Sequence, residues 1–142
     1  MPRPEAWRLD PATYPHRTAI QTRFQDLDVL GHLNNVAIAA LFESARVRFN
    51  RSLELAGWAG HRWLVARVEI NYLAEGFFPE DVEIATGIGD IGTRSWHIVS
   101  AAFQKGVPLA TCDVVIVMSP SGGATELPAD FRTGLEGHRI RR

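Results

Sequence analysis

The residues whose types and spacing could carry out chemistry lie between Asp26 and Asn35, in the stretch DLDVLGHLNN. Two carboxylates, a histidine, two asparagines and a glycine occur within these ten residues. Carboxylate and imidazole groups accept and donate protons, and asparagine amides donate and accept hydrogen bonds. This composition indicates an acid–base or hydrolytic site, although the same residue types also build tight turns and helix caps.

A long helix is predicted to begin where the polar stretch ends. Residues 35–57 read NVAIAALFESARVRFNRSLELAG, with Asn34 or Asn35 as a cap and Gly57 as a stop. The segment from Val36 to Phe42 is apolar on every side, so we expect this half to be enclosed and the second half to emerge into solvent. The start of a helix carries unpaired N–H groups and the positive end of its dipole. The polar stretch therefore lies next to the helix end that attracts negative charge.

Alternating apolar and polar residues predict strands on both sides of this helix. One strand begins at His16, and four more follow the helix within 63–73, 81–91, 94–103 and 109–119. The order predicts an α+β fold in which a five-stranded antiparallel sheet wraps around one central helix. We expect residues 16–130 to form this domain. Residues 1–15 are expected to be loose or to wrap the surface. Residues 131–142 are expected to form a C-terminal tail, whose last four residues, RIRR, are expected to be frayed and solvated.

The composition excludes several classes of protein. A net charge of −1 without a basic run argues against nucleic-acid binding. No apolar run approaches the ~18 residues of a membrane span, and the first residues lack a secretory h-region. The lone Cys112 excludes an intramolecular disulfide and fits a reducing compartment. We therefore expect a cytoplasmic protein without membrane partners.

With these elements in place, the chain resembles the hot-dog fold, specifically the 4-hydroxybenzoyl-CoA thioesterase-like acyl-CoA thioesterases. Their first strand ends in R-F-x-D-x-D-x-x-G-H-x-N-N, and F-E-x-A-R follows in the helix; this chain carries both phrases, at 23–35 and 42–46. The segments VARVEINYLAEGFFPEDVEIAT and IGTRSWHIVSAAF resemble the later strands of the family. The resemblance covers residues 16–130. One departure is Ile38, where many relatives carry a tyrosine, and it makes the expected pocket more aliphatic.

The resemblance implies that the protein hydrolyses an acyl-CoA to a carboxylic acid and free CoA without a metal or other cofactor. Asp28 matches the catalytic carboxylate, acting as a general base on water or as a nucleophile that forms a mixed anhydride. Asn35 matches the position whose backbone N–H stabilises the oxyanion. His32 could tune Asp28, line the pocket or only fix the loop. Gly31 is expected to supply the backbone shape and room for the acyl group.

Other residues have competing interpretations. Glu43 is an alternative catalytic carboxylate, because some hot-dog thioesterases carry theirs on the central helix; an i,i+3 ion pair with Arg46 is the interpretation we prefer. Asp26 is interpreted as structural, orienting the loop or pairing with Arg23. A metal site at Asp26, Asp28 and His32 is disfavoured because their spacing matches no dedicated metal loop. Cys112 is expected to pack in the core.

The substrate and the assembly follow from the same resemblance. The turn Thr93, Arg94 and Ser95 is the candidate CoA-binding segment, with Arg94 on a phosphate, and Ile38 is expected to line the acyl pocket. The sequence leaves the acyl group open, and also whether CoA or an acyl-carrier protein delivers it. A single five-stranded sheet leaves open edges, so we expect a homodimer or a dimer-of-dimers tetramer.

Two other functions compete with hydrolysis. A hot-dog enoyl-CoA hydratase would show D-x-N-P-x-H, whereas Asp28 and His32 are separated by VLG without an N-P pair. A non-catalytic acyl-CoA binding module would bind CoA esters without releasing thiol.

Overall fold

The computed structural model describes residues 3–53, 61–120 and 126–142. Five strands and one long helix match the predicted order, and a short second helix follows them. The elements are β1 (His16–Ile20), α1 (Asn35–Ser52), β2 (His61–Tyr72), β3 (Val82–Ile91), β4 (Ser95–Gln104), β5 (Val107–Pro120) and α2 (Ala129–Glu136). Short 3₁₀ helices span Ala6–Leu9, Pro11–Thr13 and Phe24–Asp26. None of the helices in these ranges is long and apolar enough to cross a membrane.

The sheet has the strand order β1-β3-β4-β5-β2, and all of its neighbouring strands are antiparallel. Ile84, Ile98 and Val114 lie on its inner face and are almost completely buried. The alternation in the sequence predicted these strands because every second residue of a strand faces the same side. Together with α1, the sheet confirms the predicted α+β hot-dog fold.

Helix α1 packs on the inner face of the sheet and leaves its other side open. Phe42, Ala45 and Phe49 are buried, whereas Val36 is 79% exposed. The expectation that the first half of the helix is enclosed is therefore wrong. A helix lying on a sheet buries only the side in contact, and this buried side continues to Phe49 in the second half. The helix was predicted to reach Gly57; residues 54–60 lie outside the described ranges.

The N-terminal segment wraps the outer face of the sheet. Trp7 and Tyr14 pack there against a second apolar cluster that includes Val99 and Phe103. The Arg8 guanidinium makes two hydrogen bonds to the Asp113 carboxylate, at 2.8 and 2.6 Å. Of the two expectations for this segment, wrapping the surface is the one that the structure confirms.

The C-terminal residues extend the β3 side of the sheet. Ile88 donates its N–H to the His138 carbonyl and accepts the N–H of Ile140, both at 2.9 Å. These residues need a glycine opposite them, because a Cβ on Gly87 would lie 2.8 Å from Ile140 Cγ2. The last four residues were expected to be frayed and solvated; Arg139, Arg141 and Arg142 are exposed, but the backbone at Ile140 is paired with β3. β1 ends its pairing at Thr86, which leaves the backbone of Ile88 to be satisfied by the tail.

Candidate active site

The polar stretch folds into a tight loop between two bridged residues. Leu27 and Leu33 form an antiparallel bridge. The Asp28 N–H donates to the His32 carbonyl at 2.8 Å, and the Gly31 N–H donates to the Asp28 carbonyl at 3.1 Å. Gly31 has φ +83°, a conformation that residues with a Cβ rarely adopt. A glycine suits this position because the tight loop requires a positive φ.

Asp28 has both a structural and a free oxygen. Its Oδ1 accepts hydrogen bonds from the N–H groups of Leu30 at 2.9 Å and His32 at 3.1 Å. Within the described ranges, Oδ2 has no hydrogen-bond partner. The residue is exposed in a single chain. The carboxylate is therefore held in a fixed direction by the turn and keeps one oxygen available to accept a proton.

The start of α1 leaves two backbone donors beside this carboxylate. Asn34 is the cap: its Oδ1 accepts the N–H of Ala37 at 2.6 Å, and its carbonyl accepts the N–H of Ile38 at 3.1 Å. The N–H groups of Asn35 and Val36 have no acceptor in the part of the chain that is described. Unpaired N–H groups at a helix start attract negative charge.

A cavity of about 290 Å³ brings the predicted residues together. Asp28, His32, Asn35 and Ile38 all line it, and its opposite wall is the end of β2 with the residues that follow, 72–75. A second cavity of about 490 Å³ lies on the other side of Asp28 and Asn35. The arrangement places a carboxylate oxygen and a helix start in the wall of one cavity, which is what acyl transfer requires.

Two residues of this cavity were missed in the sequence. The Tyr72 hydroxyl donates to the Asn35 carbonyl at 2.9 Å, and burial raises the pKa of this phenol. Glu75 Oε2 lies 3.2 Å from His32 Nε2. Tyr72 is the last residue of β2 and Glu75 follows it by three residues, and no spacing rule connects them to a loop about 40 residues earlier. Only the order of the strands brings them here.

Other predicted site residues lie away from this cavity. Glu43 is 72% exposed at its side chain and sits 3.8 Å from Arg46, which agrees with the preferred ion pair. Thr93, Arg94 and Ser95 lie at the opposite end of the sheet: Ile20 pairs with Val82 near the polar loop, whereas the turn follows Ile91. Nine residue steps along β3 correspond to about 30 Å. One chain does not bring this turn to Asp28.

Asp26 and Cys112 have the structural roles predicted for them. The Asp26 carboxylate, 5% exposed, accepts the backbone N–H and a guanidinium N–H of Arg23, both at 2.9 Å. Cys112 is 2% exposed, and burial raises the pKa of its thiol to about 12, which suits a core residue rather than a nucleophile. Within residues 3–53, 61–120 and 126–142, no three His, Cys, Asp or Glu side chains are arranged to hold a metal ion.

We expect Asp26→Ala to destabilise the protein by about 1 to 3 kcal/mol, because the Arg23 N–H would lose its buried acceptor. Urea unfolding followed by circular dichroism measures this change. Asp90→Ala, at an exposed position of β3, is the matched control and should change the free energy of unfolding by less than about 0.5 kcal/mol. Equal effects of the two substitutions would contradict the structural role of Asp26.

The sheet and its central helix form the hot-dog fold of thioesterases. The sequence profile of the thioesterase-like superfamily matches residues 22–135, and the chain belongs to this family. It is similar to a predicted thioesterase from Bacillus stearothermophilus, with 30% identity, a TM-score of 0.76, and coverage of 89% of this chain and 97% of that one. It also resembles a thioesterase from Thermus thermophilus complexed with coenzyme A and Zn, with 28% identity, a TM-score of 0.78, and coverage of 88% and 94%.

A third similar structure is a thioesterase superfamily protein from Jannaschia sp. CCS1, with 25% identity, a TM-score of 0.77, and coverage of 88% of this chain and 83% of that one. A search of curated proteins finds no match. The family and these structures make the protein an enzyme of the thioesterase class.

Proposed function

We propose that this protein hydrolyses acyl-CoA thioesters to a carboxylic acid and free CoA. The observation that carries the proposal is that Asp28, with its free Oδ2, lines one cavity together with Asn35, whose unpaired N–H starts α1. The Thermus thermophilus relative, complexed with coenzyme A, supports CoA as the carrier of the acyl group.

In the proposed reaction, Asp28 Oδ2 takes a proton from water as the water oxygen attacks the thioester carbon. The carbonyl oxygen becomes an oxyanion, which accepts a hydrogen bond from the Asn35 N–H. The C–S bond then breaks, and the leaving CoA thiolate takes the proton back from Asp28. A positioned general base contributes about a hundredfold or more in rate, and one oxyanion donor about 3 kcal/mol. Direct attack by Asp28 to give a mixed anhydride would use the same oxygen.

Neighbouring residues support these groups. His32 belongs to the same loop as Asp28, and its Nε2 lies 3.2 Å from Glu75 Oε2. The His32 ring contacts Phe77 edge-on, with 5.5 Å between the ring centroids. Tyr72 ties the first peptide of α1 to the sheet through the Asn35 carbonyl. Ile38 lines the cavity of about 290 Å³ and bounds the space left for the acyl group, whereas Gly31 lines neither cavity beside Asp28. These contacts hold the carboxylate and the oxyanion donor in one geometry, which is what an effective site requires.

The exposure of Asp28 supports a homodimer as the active form. A general base works best when closure of the site excludes bulk water. β2 is an edge strand of 12 residues, and the described residues offer no strand on its other side. Leu64, Val65 and Val68 on this strand are 58%, 48% and 49% exposed. We propose that two copies pair through β2. The second copy would cover the cavity that Asp28 and Tyr72 both line.

This pairing would also explain the distant CoA-binding candidates. In an antiparallel pair, the start of the partner's β2 lies beside the end of β2 at Tyr72. The β3–β4 turn is at that same end of the partner, two strands or about 10 Å farther on. Arg94 of the partner subunit, with its neighbours Thr93 and Ser95, would then face the cavity of the first copy. A dimer of dimers would use the open side of α1, because the chain ends cover much of the outer sheet face.

We expect the purified protein to have about twice its chain mass of 15.8 kDa in size-exclusion chromatography with light scattering, or four times that mass for a tetramer. Val68→Glu places a charge on the proposed interface, so the variant should be monomeric and lose turnover. Asp90→Ala, at an exposed position of β3, serves as the control for an unrelated surface change. A wild-type monomer at micromolar concentration would rule out the β2 pairing.

Thiol release from short, medium, long and aromatic acyl-CoAs tests the proposed reaction, with free CoA detected by a chromogenic disulfide. Turnover of any member supports hydrolysis and begins to define the acyl group. Loss of enoyl absorbance without free thiol would instead identify a hydratase. Thermal stabilisation by CoA esters without any thiol release would identify a binding module.

A further inference from the structure

The N-terminal segment forms one wall of a cavity that the proposed reaction does not use. This cavity has a volume of about 410 Å³. Arg3, Pro4 and Leu9 face the end of β2 and the start of β5 across it; the residues on that side are Asn71, Tyr72, Leu73, Val107 and Pro108. The N-terminal wall lies outside residues 22–135 that match the family. It is therefore a feature of this chain that the family assignment does not explain.

The part of the N-terminal segment next to this wall is held in place by partly buried contacts. The Arg8 guanidinium donates two hydrogen bonds to the Asp113 carboxylate, and the Tyr14 hydroxyl donates to the Arg8 carbonyl at 2.9 Å. Thr13 Oγ1 donates to the Trp7 carbonyl at 2.6 Å. These contacts fix the backbone around Leu9 before any ligand arrives, so binding does not have to order that part of the wall. Arg3 lies five residues before Arg8 and is exposed.

The cavity adjoins the active site. Tyr72 and Leu73 line this cavity and also the one that contains Asp28. The two spaces are therefore separated only by the end of β2. An elongated ligand that bends around this strand end could place its reactive group beside Asp28 and its other end beside Arg3.

The charges around the site favour this cavity for a phosphate group. None of its lining residues is acidic, and Arg3 has no ion-pair partner in the described part of the chain. Three other cavities near the loop contain carboxylates, namely Asp26 with Asp28, Asp28 with Glu75, and Glu75 with Glu80. The cations that line two of them, Arg23 and Lys105, are ion-paired with Asp26 and Glu80. Phosphates are repelled by nearby carboxylates and attracted by a free guanidinium.

We propose that this cavity binds the phosphate-bearing nucleotide end of the acyl-CoA. In this proposal, Arg3 binds a phosphate and the Asn71 side-chain amide hydrogen-bonds to polar atoms of the nucleotide. The adenine packs on Pro4, Leu9 and Pro108. The assignment rests on the proposed thioesterase function. It makes the N-terminal segment a part of the substrate site and gives CoA an advantage over smaller thioesters.

The test compares Arg3→Ala and Arg3→Glu with the wild type in two assays. Calorimetry with adenosine bisphosphate, the nucleotide end of CoA, should show affinity roughly tenfold lower for Arg3→Ala, the change expected for one lost charge-assisted contact. Arg3→Glu should bind more weakly still. The KM for acyl-CoA should rise by a similar factor with kcat unchanged, whereas the same acyl group on N-acetylcysteamine, which has no nucleotide, should react as with the wild type.

Arg48→Ala controls for the loss of one surface charge, and Arg94→Ala measures the contribution of the other arginine proposed to contact CoA. Nucleotide affinity that is unchanged in both Arg3 variants would overturn the proposal, as would equal losses on the two kinds of thioester. A loss of nucleotide affinity only in Arg94→Ala would also overturn it. If the wild type turns over no thioester, the proposed function fails, and the calorimetry still decides whether the cavity binds the nucleotide.

Discussion

Asp28→Asn should lower kcat by a factor of about a hundred or more while acyl-CoA binding is largely retained. The asparagine Oδ1 can still accept the N–H groups of Leu30 and His32, so the loop keeps its shape. What the variant loses is the free oxygen that takes a proton from water. Steady-state thiol release measures kcat, and calorimetry with a non-hydrolysable acyl-CoA analogue measures binding.

Two further variants separate chemistry from loop structure. Asp28→Ala removes the acceptor of both loop N–H groups, so it should lower the melting temperature as well as kcat. Glu43→Gln should keep turnover, because Glu43 pairs with Arg46 and lines neither cavity beside Asp28. Turnover like that of the wild type in Asp28→Asn, combined with its loss in Glu43→Gln, would move the catalytic role to Glu43.

Phe49→Ala should destabilise the protein by about 3 to 5 kcal/mol, which is typical of a large aromatic side chain removed from a core. Phe49 is 0% exposed. Its ring lies 5.4 Å from that of His16 and 6.1 Å from that of His138, so it joins α1 to β1 and to the C-terminal residues. Urea unfolding monitored by circular dichroism gives the change in the free energy of unfolding.

Val47→Ala is the matched control on the same helix. Val47 is 46% exposed on the open side of α1, and its truncation should cost less than about 0.5 kcal/mol in the isolated chain. A cost below about 1 kcal/mol for Phe49→Ala would show that the core relaxes to fill the space left by the ring. It would contradict the expectation that Phe49 contributes strongly to stability by joining α1 to β1 and to the C-terminal residues.

The local features of this fold could be predicted because short stretches of sequence determine them. Alternation placed the strands within a few residues of their observed ends, and a cap of either Asn34 or Asn35 was expected where α1 begins. Gly31 was expected to provide a backbone shape, and the loop does use it at a positive φ. Asp28, His32 and Asn35 were grouped correctly because they are close along the chain.

The features that depend on strand order could not be predicted in this way. Tyr72 and Glu75 reach the cavity because β2 is the last strand of the sheet order and its end lies beside the loop. The short helix α2 was missed, since its eight residues include Gly134 and follow Pro128. Phe131 of this helix nevertheless packs edge-on against Trp96, at 5.1 Å between ring centroids.

The two edges of the sheet differ in a way that bears on how the protein avoids uncontrolled polymerisation. β1 has five residues and carries the exposed Arg17, whereas β2 has 12. A two-fold pairing of β2 with itself uses the long edge of both copies, and the edges that remain outward are short and charged. Strand addition would therefore terminate after a single step, and a concentrated solution of the enzyme should resist growth into fibres.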